Sequence, residues 1–290
     1  MLAGVLVYGL VNSLMLALFA VGFGLTFGVS RIANFAHGAI YILAGYMVWI
    51  FLNMLGLPLG LAIVLSLIFT VMFGIVLYKC VLERVRGMAV AEIIATFALG
   101  LAIAQLFKFF GFIGPKYAIP TFISGSISII GVSLDFQRLL IIGVGAILIA
   151  LLWFFSHYTK TGLAFRAVAL NERTAMTLGI NSNRIAIMSL AAGCGLAGLA
   201  AIVIAPIGVL SIEASLDVLI YAVAISFLGG LGNMRGLFLA SFLLGYTQTA
   251  VATYIGSHWL MIATLACIYL VLVLRPSGLF GKSKELEERV

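Results

Sequence analysis

Residues 61–77, LAIVLSLIFTVMFGIVL, carry only two polar side chains, Ser66 and Thr70, in seventeen positions. No period-two alternation runs through the stretch, so it does not read as a strand of a barrel. In hydrocarbon the backbone must satisfy its own N–H and C=O groups, and a helix is the structure left that does so. Roughly 20 apolar residues carry a helix across the core of a bilayer. Comparable runs recur along the chain and give candidate spans at residues 4–28, 33–55, 59–82, 89–112, 138–156, 184–206, 215–230, 236–255 and 258–274. The fold class that follows is all-α: a polytopic transmembrane helical bundle of nine spans, within a range of eight to ten, forming one domain over residues 1–290.

Composition agrees. The chain is 64% hydrophobic and 9% charged, with a mean hydropathy of +1.28, whereas a soluble domain is roughly 45–50% apolar and about 25% charged. Its formal net charge is +7. Basic residues collect in the cytoplasmic loops of membrane proteins, and no basic stripe interleaved with aromatics is present, so no nucleic acid partner is expected. Cys80, Cys194 and Cys267 are isolated within apolar runs, without the spacing of a disulfide framework or a zinc site. The start, MLAGVLVYGL, lacks the basic flank of a cleavable signal and reads as a retained first span.

Orientation follows from Lys and Arg at the span ends. With the N-terminus outside, the inner side receives Arg31, Lys79, Arg84, Arg86, Lys160, Arg166, Arg173, Arg184, Arg235, Arg275, Lys282, Lys284 and Arg289, and the outer side keeps Lys108, Lys116 and Arg138. Nine spans then leave the C-terminal tail KSKELEERV inside. Two connections are long: an outer loop, 113–137, with Pro115 and Pro120, and an inner segment, 157–183.

The inner segment contains NERTAMTLG, in which Asn171 suits an N-cap, Glu172 favours the positive end of a helix and Gly179 suits its close. A short helix bearing Ala175, Met176 and Leu178 has two uses on physical grounds: docking in a groove of another protein or resting on lipid headgroups.

Two further places break the apolar runs. RIANFAHGA, residues 31–39, places Asn34, His37 and Tyr41 at spacings of three and four, on one face of a helix, with Gly38 and Gly45 able to admit a close neighbour. LGGLGNMRG, residues 228–236, gathers Gly229, Gly230, Gly232, Asn233 and Gly236. Breaks in both halves of a transporter point to a substrate path. On that reading Asn34, His37, Gly38, Tyr41, Gly229, Gly230, Gly232 and Asn233 line the pathway. The structural alternative is a tight turn at each break, with Arg31 an interfacial anchor, Asn34 a cap and His37 a packing residue. Glu213 and Asp217 read as an outer-end pair spaced for one helical face, by default a solvated edge and alternatively a contact for basic residues of a docking binding protein, and Glu92 as a carboxylate near the inner boundary, close to Arg84 or Arg86.

The motif TG-x-x-x-RA-x-A-x-x-x-x-x-A-x-x-x-GI, carried by Thr161, Gly162, Arg166, Ala167, Ala169, Ala175, Gly179 and Ile180, resembles the cytoplasmic segment of branched-chain amino acid ABC importer permeases. I-x-NFAHGA, from Asn34 to Ala39, LGGLGNMRG and RPSGLFG extend the resemblance over the whole chain in order, nearest to the shorter, LivH-type paralogue. The resemblance implies a permease subunit in a prokaryotic cell membrane, paired with a second, paralogous permease. Two cytoplasmic ATP-binding subunits and an extracytoplasmic solute-binding protein complete the assembly. It also implies that Thr161, Gly162, Arg166, Ala167, Asn171, Glu172, Ala175, Gly179 and Ile180 couple this chain to the ATPases.

What is missing fits that expectation. No G-x-x-x-x-G-K-[ST] loop occurs, so ATP and magnesium belong to partner chains and no cofactor or metal is expected here. Nine acidic residues, scattered histidines and the absence of a G-x-S-x-G elbow disfavour an ion- or proton-coupled carrier and an intramembrane hydrolase. The chain is expected to have no enzymatic activity.

Overall fold

The computed structural model describes residues 2–114, 117–129, 131–208 and 210–281. Pro115, Lys116, Lys282, Lys284, Arg289 and the tail named above lie outside the described residues.

Twelve α-helices run in chain order through these residues: α1 (Leu2–Ser30), α2 (His37–Asn53), α3 (Leu59–Leu77), α4 (Glu83–Val85), α5 (Ala89–Phe109), α6 (Phe136–Tyr158), α7 (Lys160–Leu170), α8 (Glu172–Thr177), α9 (Ser182–Ile204), α10 (Ala214–Gly229), α11 (Met234–Tyr254) and α12 (Leu260–Leu274). A π-helical turn, Tyr78–Leu82, continues α3 into α4. Seven of these segments are long and apolar enough to cross a membrane, while α2 and α10 are shorter. Each run singled out in the sequence contains a helix, although the second, drawn from residue 33, becomes helical only at His37.

The long connection between α5 and α6 departs from the all-α expectation. Ser126–Ile129 (β1) and Val132–Asp135 (β2) form an antiparallel hairpin, with Ser126 opposite Asp135 and Ile127 opposite Leu134. Gly131, at φ +74°, supplies the left-handed residue that a tight hairpin demands. The alternation SISI and VSLD is too short to stand out beside runs of twenty.

Helices α1 and α9 form the centre. α1 packs most extensively on α11, α9 and α10, and α9 on α1, α3 and α2. Their seam is built on small residues, as membrane helices require where no hydrophobic force separates protein from lipid. A Cβ on Gly22 of α1 would collide with the carbonyl of Gly193, the midpoint of α9. By contrast α12, α6, α5 and α3 are mostly exposed and belong to the rim.

The start of α2 lies deep in the bundle. α1 ends at Ser30, and residues 31–34 are non-helical and 35–36 a turn, so the chain folds back beside α1. Six residues span at most about 20 Å when fully extended, and eleven residues of a helix rise about 16 Å, so a partly extended return with a turn at 35–36 and the reach of a histidine side chain covers that distance. His37 thereby reaches the Phe19 carbonyl through Nε2 at 2.8 Å. A Cβ on Gly100, near the midpoint of α5, would lie 3.4 Å from Ala36 Cα. Gly100, near the midpoint of α5, and Gly22, two-thirds of the way along α1, thus lie against the beginning of α2, and Gly193 at the midpoint of α9 packs on Gly22. Leu210 to Ser215 runs antiparallel to α2, with Leu210 against Gly45 and the Ser215 carbonyl against Gly38. Both short helices therefore begin near the middle of the bundle and run to opposite ends.

Candidate functional site

The extended entry to α2 is held by polar contacts that replace the missing helical ones. Phe35 N–H donates to Thr96 Oγ1 of α5 at 3.0 Å, and Ala36 N–H to Asn34 Oδ1 at 3.1 Å. Asn34 and His37 are 2% and 1% exposed, which leaves neither side chain facing open space. This corrects the single helical face drawn through Asn34, His37 and Tyr41: helix α2 starts at His37, so Asn34 lies off it. Tyr41 alone of the three borders a cavity, of about 190 Å³, with Met15, Ser211 and Ala214.

A second cleft, about 200 Å³, lies on the other side of the α2–α10 junction. Phe35 and Ala39 line one wall, Phe97, Leu101 and Gln105 of α5 a second, and Leu216 and Leu219 of α10 a third. Lys108 and Glu213 stand at this cleft, with Nζ and Oε1 4.0 Å apart and side chains 43% and 76% exposed. Asp217, one turn into α10, is exposed beside Ile220 and faces Thr264 of α12. Glu213 and Asp217 were expected at an outer rim. The backfolded α10 start instead sets them level with the beginning of α2, and no period in the sequence signals a helix that starts halfway.

The glycine-rich break sits elsewhere, at one end of the bundle. Gly229 closes α10, Gly230 (φ +94°) and Gly232 (φ +81°) turn the chain, and Asn233 caps α11 by accepting from Arg235 and Gly236 N–H. The segment after α12 clamps this turn: Leu279 and Phe280 N–H donate to the Leu228 and Gly229 carbonyls, and Asn233 Nδ2 to that of Phe280. The two breaks are therefore not one site. The first is buried at mid-bundle, and the second is a braced terminal turn against Gly28 of α1.

At that same end the inner segment forms two helices rather than one. Thr159 caps α7 through the Gly162 N–H, and a Cβ on Gly162 would strike the Phe155 carbonyl. Asn171 caps α8 by accepting from Thr174 N–H, and Gly179 closes it at φ +82°. Ala175 is 2% exposed in a cluster with Leu25, Val29, Phe165, Val168 and Ile185, whereas Met176 and Leu178 are 50% and 75% exposed. Thr161, Arg166 and Glu172 are exposed, and Ala167 and Ile180 partly buried. Glu172 is pinned by Arg86 Nη2 at 2.6 Å and by Ser182 Oγ. Arg86 also donates to Tyr78 OH and Asn183 Oδ1. Glu92 is not paired with Arg84 or Arg86 but accepts from the Gly87 N–H at 2.8 Å.

The profile of the family described as branched-chain amino acid transport system / permease component matches residues 5–274. The chain belongs to that permease family. Among its relatives, the high-affinity branched-chain amino acid transport system permease protein BraD of Pseudomonas aeruginosa is 30% identical, over 96% of this chain and 95% of its own length. LivH of Escherichia coli K12 is 25% identical over 92% and 91%, and a probable LivH of Methanocaldococcus jannaschii 26% over 97% and 91%. PsaBC from Streptococcus pneumoniae in complex with Fab, at 13% identity, shares the fold at a TM-score of 0.52 over 97% of this chain and 94% of that one. The permease is thus a multi-pass membrane protein of a transport family, not a catalytic one.

Proposed function

We propose that this permease is one half of the membrane pathway of an ATP-driven importer for branched-chain or similar hydrophobic amino acids. Its N-terminus faces outward, and nine crossings bring the C-terminus to the cytoplasm. The observation that carries the pathway is the exposed face of α5 and α10, where Lys108, Glu213 and Asp217 stand among Phe97, Leu101, Leu216 and Ile220. Glu213 and Asp217, level with the beginning of α2, face protein or water, since hydrocarbon excludes them, and Lys108 reaches Glu213 from the last turn of α5. That face therefore meets a second, paralogous permease across a water-filled path. The cleft suits an amino acid: apolar walls for the side chain, and an acid and a base beside each other for the two charges.

On this reading the exposed Met176 and Leu178 and the surface of α7 and α8 meet two ATPase subunits. An extracytoplasmic binding protein delivers the solute. ATP and magnesium are held by the partners, and this chain supplies neither a cofactor nor a metal.

A proton-coupled carrier is favoured by one observation alone, the pair of carboxylates Glu213 and Asp217 on a mid-bundle helix. Uptake of labelled leucine into vesicles holding the co-purified assembly separates the two. The importer stops with vanadate and ignores a protonophore; the carrier does the reverse. Cysteines placed at 160 and 173 are labelled only from the cytoplasmic side if the orientation is right, and labelling from outside overturns it.

A further inference from the structure

The first turn of α10 carries a polar side chain that the fold leaves without a partner. Ser215, the second residue of the helix, is 7% exposed. Every other buried polar or charged side chain among the described residues has a hydrogen bond within the protein. The Ser215 hydroxyl has none. Serines inside helices bond by reaching back to a carbonyl of the preceding turn, as Ser226 of the same helix does to Ala222 at 2.7 Å. Ser215 has no preceding turn, and the Ile212 carbonyl, three residues back, already accepts from the Ser215 N–H. Among the described residues no fully enclosed side-chain oxygen or nitrogen lacks a partner, so this hydroxyl is not walled in. It opens on the cleft between α5 and α10, which Ser215 lines. Lys108 and Glu213 stand exposed at the rim of that cleft, whereas Ala39, Gly100, Ile212 and Leu219 are buried and apolar at its floor. Ser215 is the polar side chain on that floor.

Resting on the reading that this cleft holds the amino acid, we propose that the Ser215 hydroxyl donates a hydrogen bond to the solute's carboxylate, beside Lys108, while Glu213 takes the ammonium. A hydroxyl can donate or accept, and the surroundings choose between the two. Glu213, the N-cap of α10, is already an acceptor suited to an ammonium. A carboxylate presents two oxygens, and Lys108 answers only part of their capacity from the rim. Ser215 also stands at the positive end of α10, which favours a negative group. The first backbone N–H groups there are occupied: those of Ala214, Ser215 and Leu216 donate to Ser211 Oγ and to the carbonyls of Ile212 and Glu213. The hydroxyl is the donor left over. A site built to bond a group of its substrate rejects an analogue that lacks the group, so Ser215 would set specificity for the carboxylate end of the solute.

Because the hydroxyl bonds to nothing in the protein, its removal separates solute binding from stability. In vesicles holding the co-purified assembly, Ser215→Ala should keep the unfolding midpoint and raise the KM for labelled leucine roughly tenfold, the effect of losing a hydrogen bond to a charged group. Ser226→Ala, which removes a bonded hydroxyl of the same helix away from the cleft, should leave the KM unchanged. Ser215→Cys gives a second readout. Modification of position 215 by a small thiol reagent, followed by mass spectrometry, should be slowed by leucine but not by isoamylamine, which keeps leucine's side chain and ammonium and lacks its carboxylate. An unchanged KM in Ser215→Ala, equal protection by the two compounds, or a position 215 that the reagent never reaches overturns the role of the hydroxyl. Lys108→Ala and Glu213→Ala then tell two failures apart. If they still raise the KM, the cleft holds the solute and Ser215 does not meet it; if they too change nothing, the cleft itself leaves the pathway.

Discussion

The α-carbon of Gly38 and the carbonyl oxygen of Ser215 touch, so that no side chain fits between them. This contact joins the first turns of α2 and α10, the two helices too short to be counted with the seven long ones. It fixes the level at which both begin and hence the level of Glu213 and Asp217. Gly38 is required by its neighbour, not by its own backbone, since it sits in ordinary helical conformation.

Gly38→Ala should therefore destabilise the fold although alanine is the better helix former. The propensity gain is about 1 kcal/mol, whereas forcing a methyl into a packed seam costs roughly 1–3 kcal/mol, and here the obstacle is backbone. Gly60→Ala in α3 has nothing within 4 Å of the added carbon and should be neutral or mildly stabilising. Thermal unfolding in detergent compares the two, and equal midpoints would show that α10 can retreat from α2.

His37 should act as a packing residue. Its ring is buried, bonded to the Phe19 carbonyl at 2.8 Å and set edge-on to Phe23 with centroids 6.1 Å apart. His37→Leu keeps much of the volume and removes one buried hydrogen bond, a loss of about 1 kcal/mol. Less folded protein with an unchanged KM for uptake is the expected result. A changed KM at unchanged stability would move the ring into the pathway.

These two residues mark where the sequence was legible. Every apolar run is a helix because composition alone decides that in lipid, and Asn171 and Gly179 mark the ends of α8 because capping is local. His37 was weighed as both pathway and packing residue, since a polar residue in an apolar run signals either. The backfolding of residues 31–36 onto α1 and α5, a tertiary fact with no period of its own, buries the ring and favours packing, which the KM of His37→Leu tests. The same backfolding hid the α5–α10 cleft: Phe97, Leu101 and Leu216 look like ordinary span residues, and only Lys108 and Glu213 stand out as charges near apolar runs. The hairpin of β1 and β2 was missed because its alternation lasts only four residues per strand.

Lys108 and Glu213 should affect transport far more than stability. The pair is wide at 4.0 Å and well exposed, and exposed pairs contribute about 0–1 kcal/mol, screened by salt. Lys108→Ala and Glu213→Ala should leave the unfolding midpoint nearly unchanged. If the pair meets the two charges of an amino acid, each should raise the KM for uptake roughly tenfold, the effect of about 1.4 kcal/mol of lost binding. Unchanged kinetics in both variants would remove this cleft from the pathway.

The clamp on α8 supplies the last expectation. Arg86 ties Glu172 to Tyr78, Ser182 and Asn183, so one guanidinium connects the exposed helix to the end of α3 and the start of α9. Both α3 and α9 are long, and α9 lies at the centre of the bundle, so a push on α8 reaches the core through this group and through the buried Ala175. The pair is 23% and 45% exposed, so its removal should change stability by no more than about 1 kcal/mol. Its effect on coupling should be larger. Glu172→Gln should leave ATP hydrolysis by the assembly intact while uptake per ATP falls several-fold, and Arg86→Gln combined with it should add little, since both act on one contact. Hydrolysis and uptake measured on the same vesicles give the ratio. A ratio equal to that of the unsubstituted protein would mean that force enters the bundle by another route.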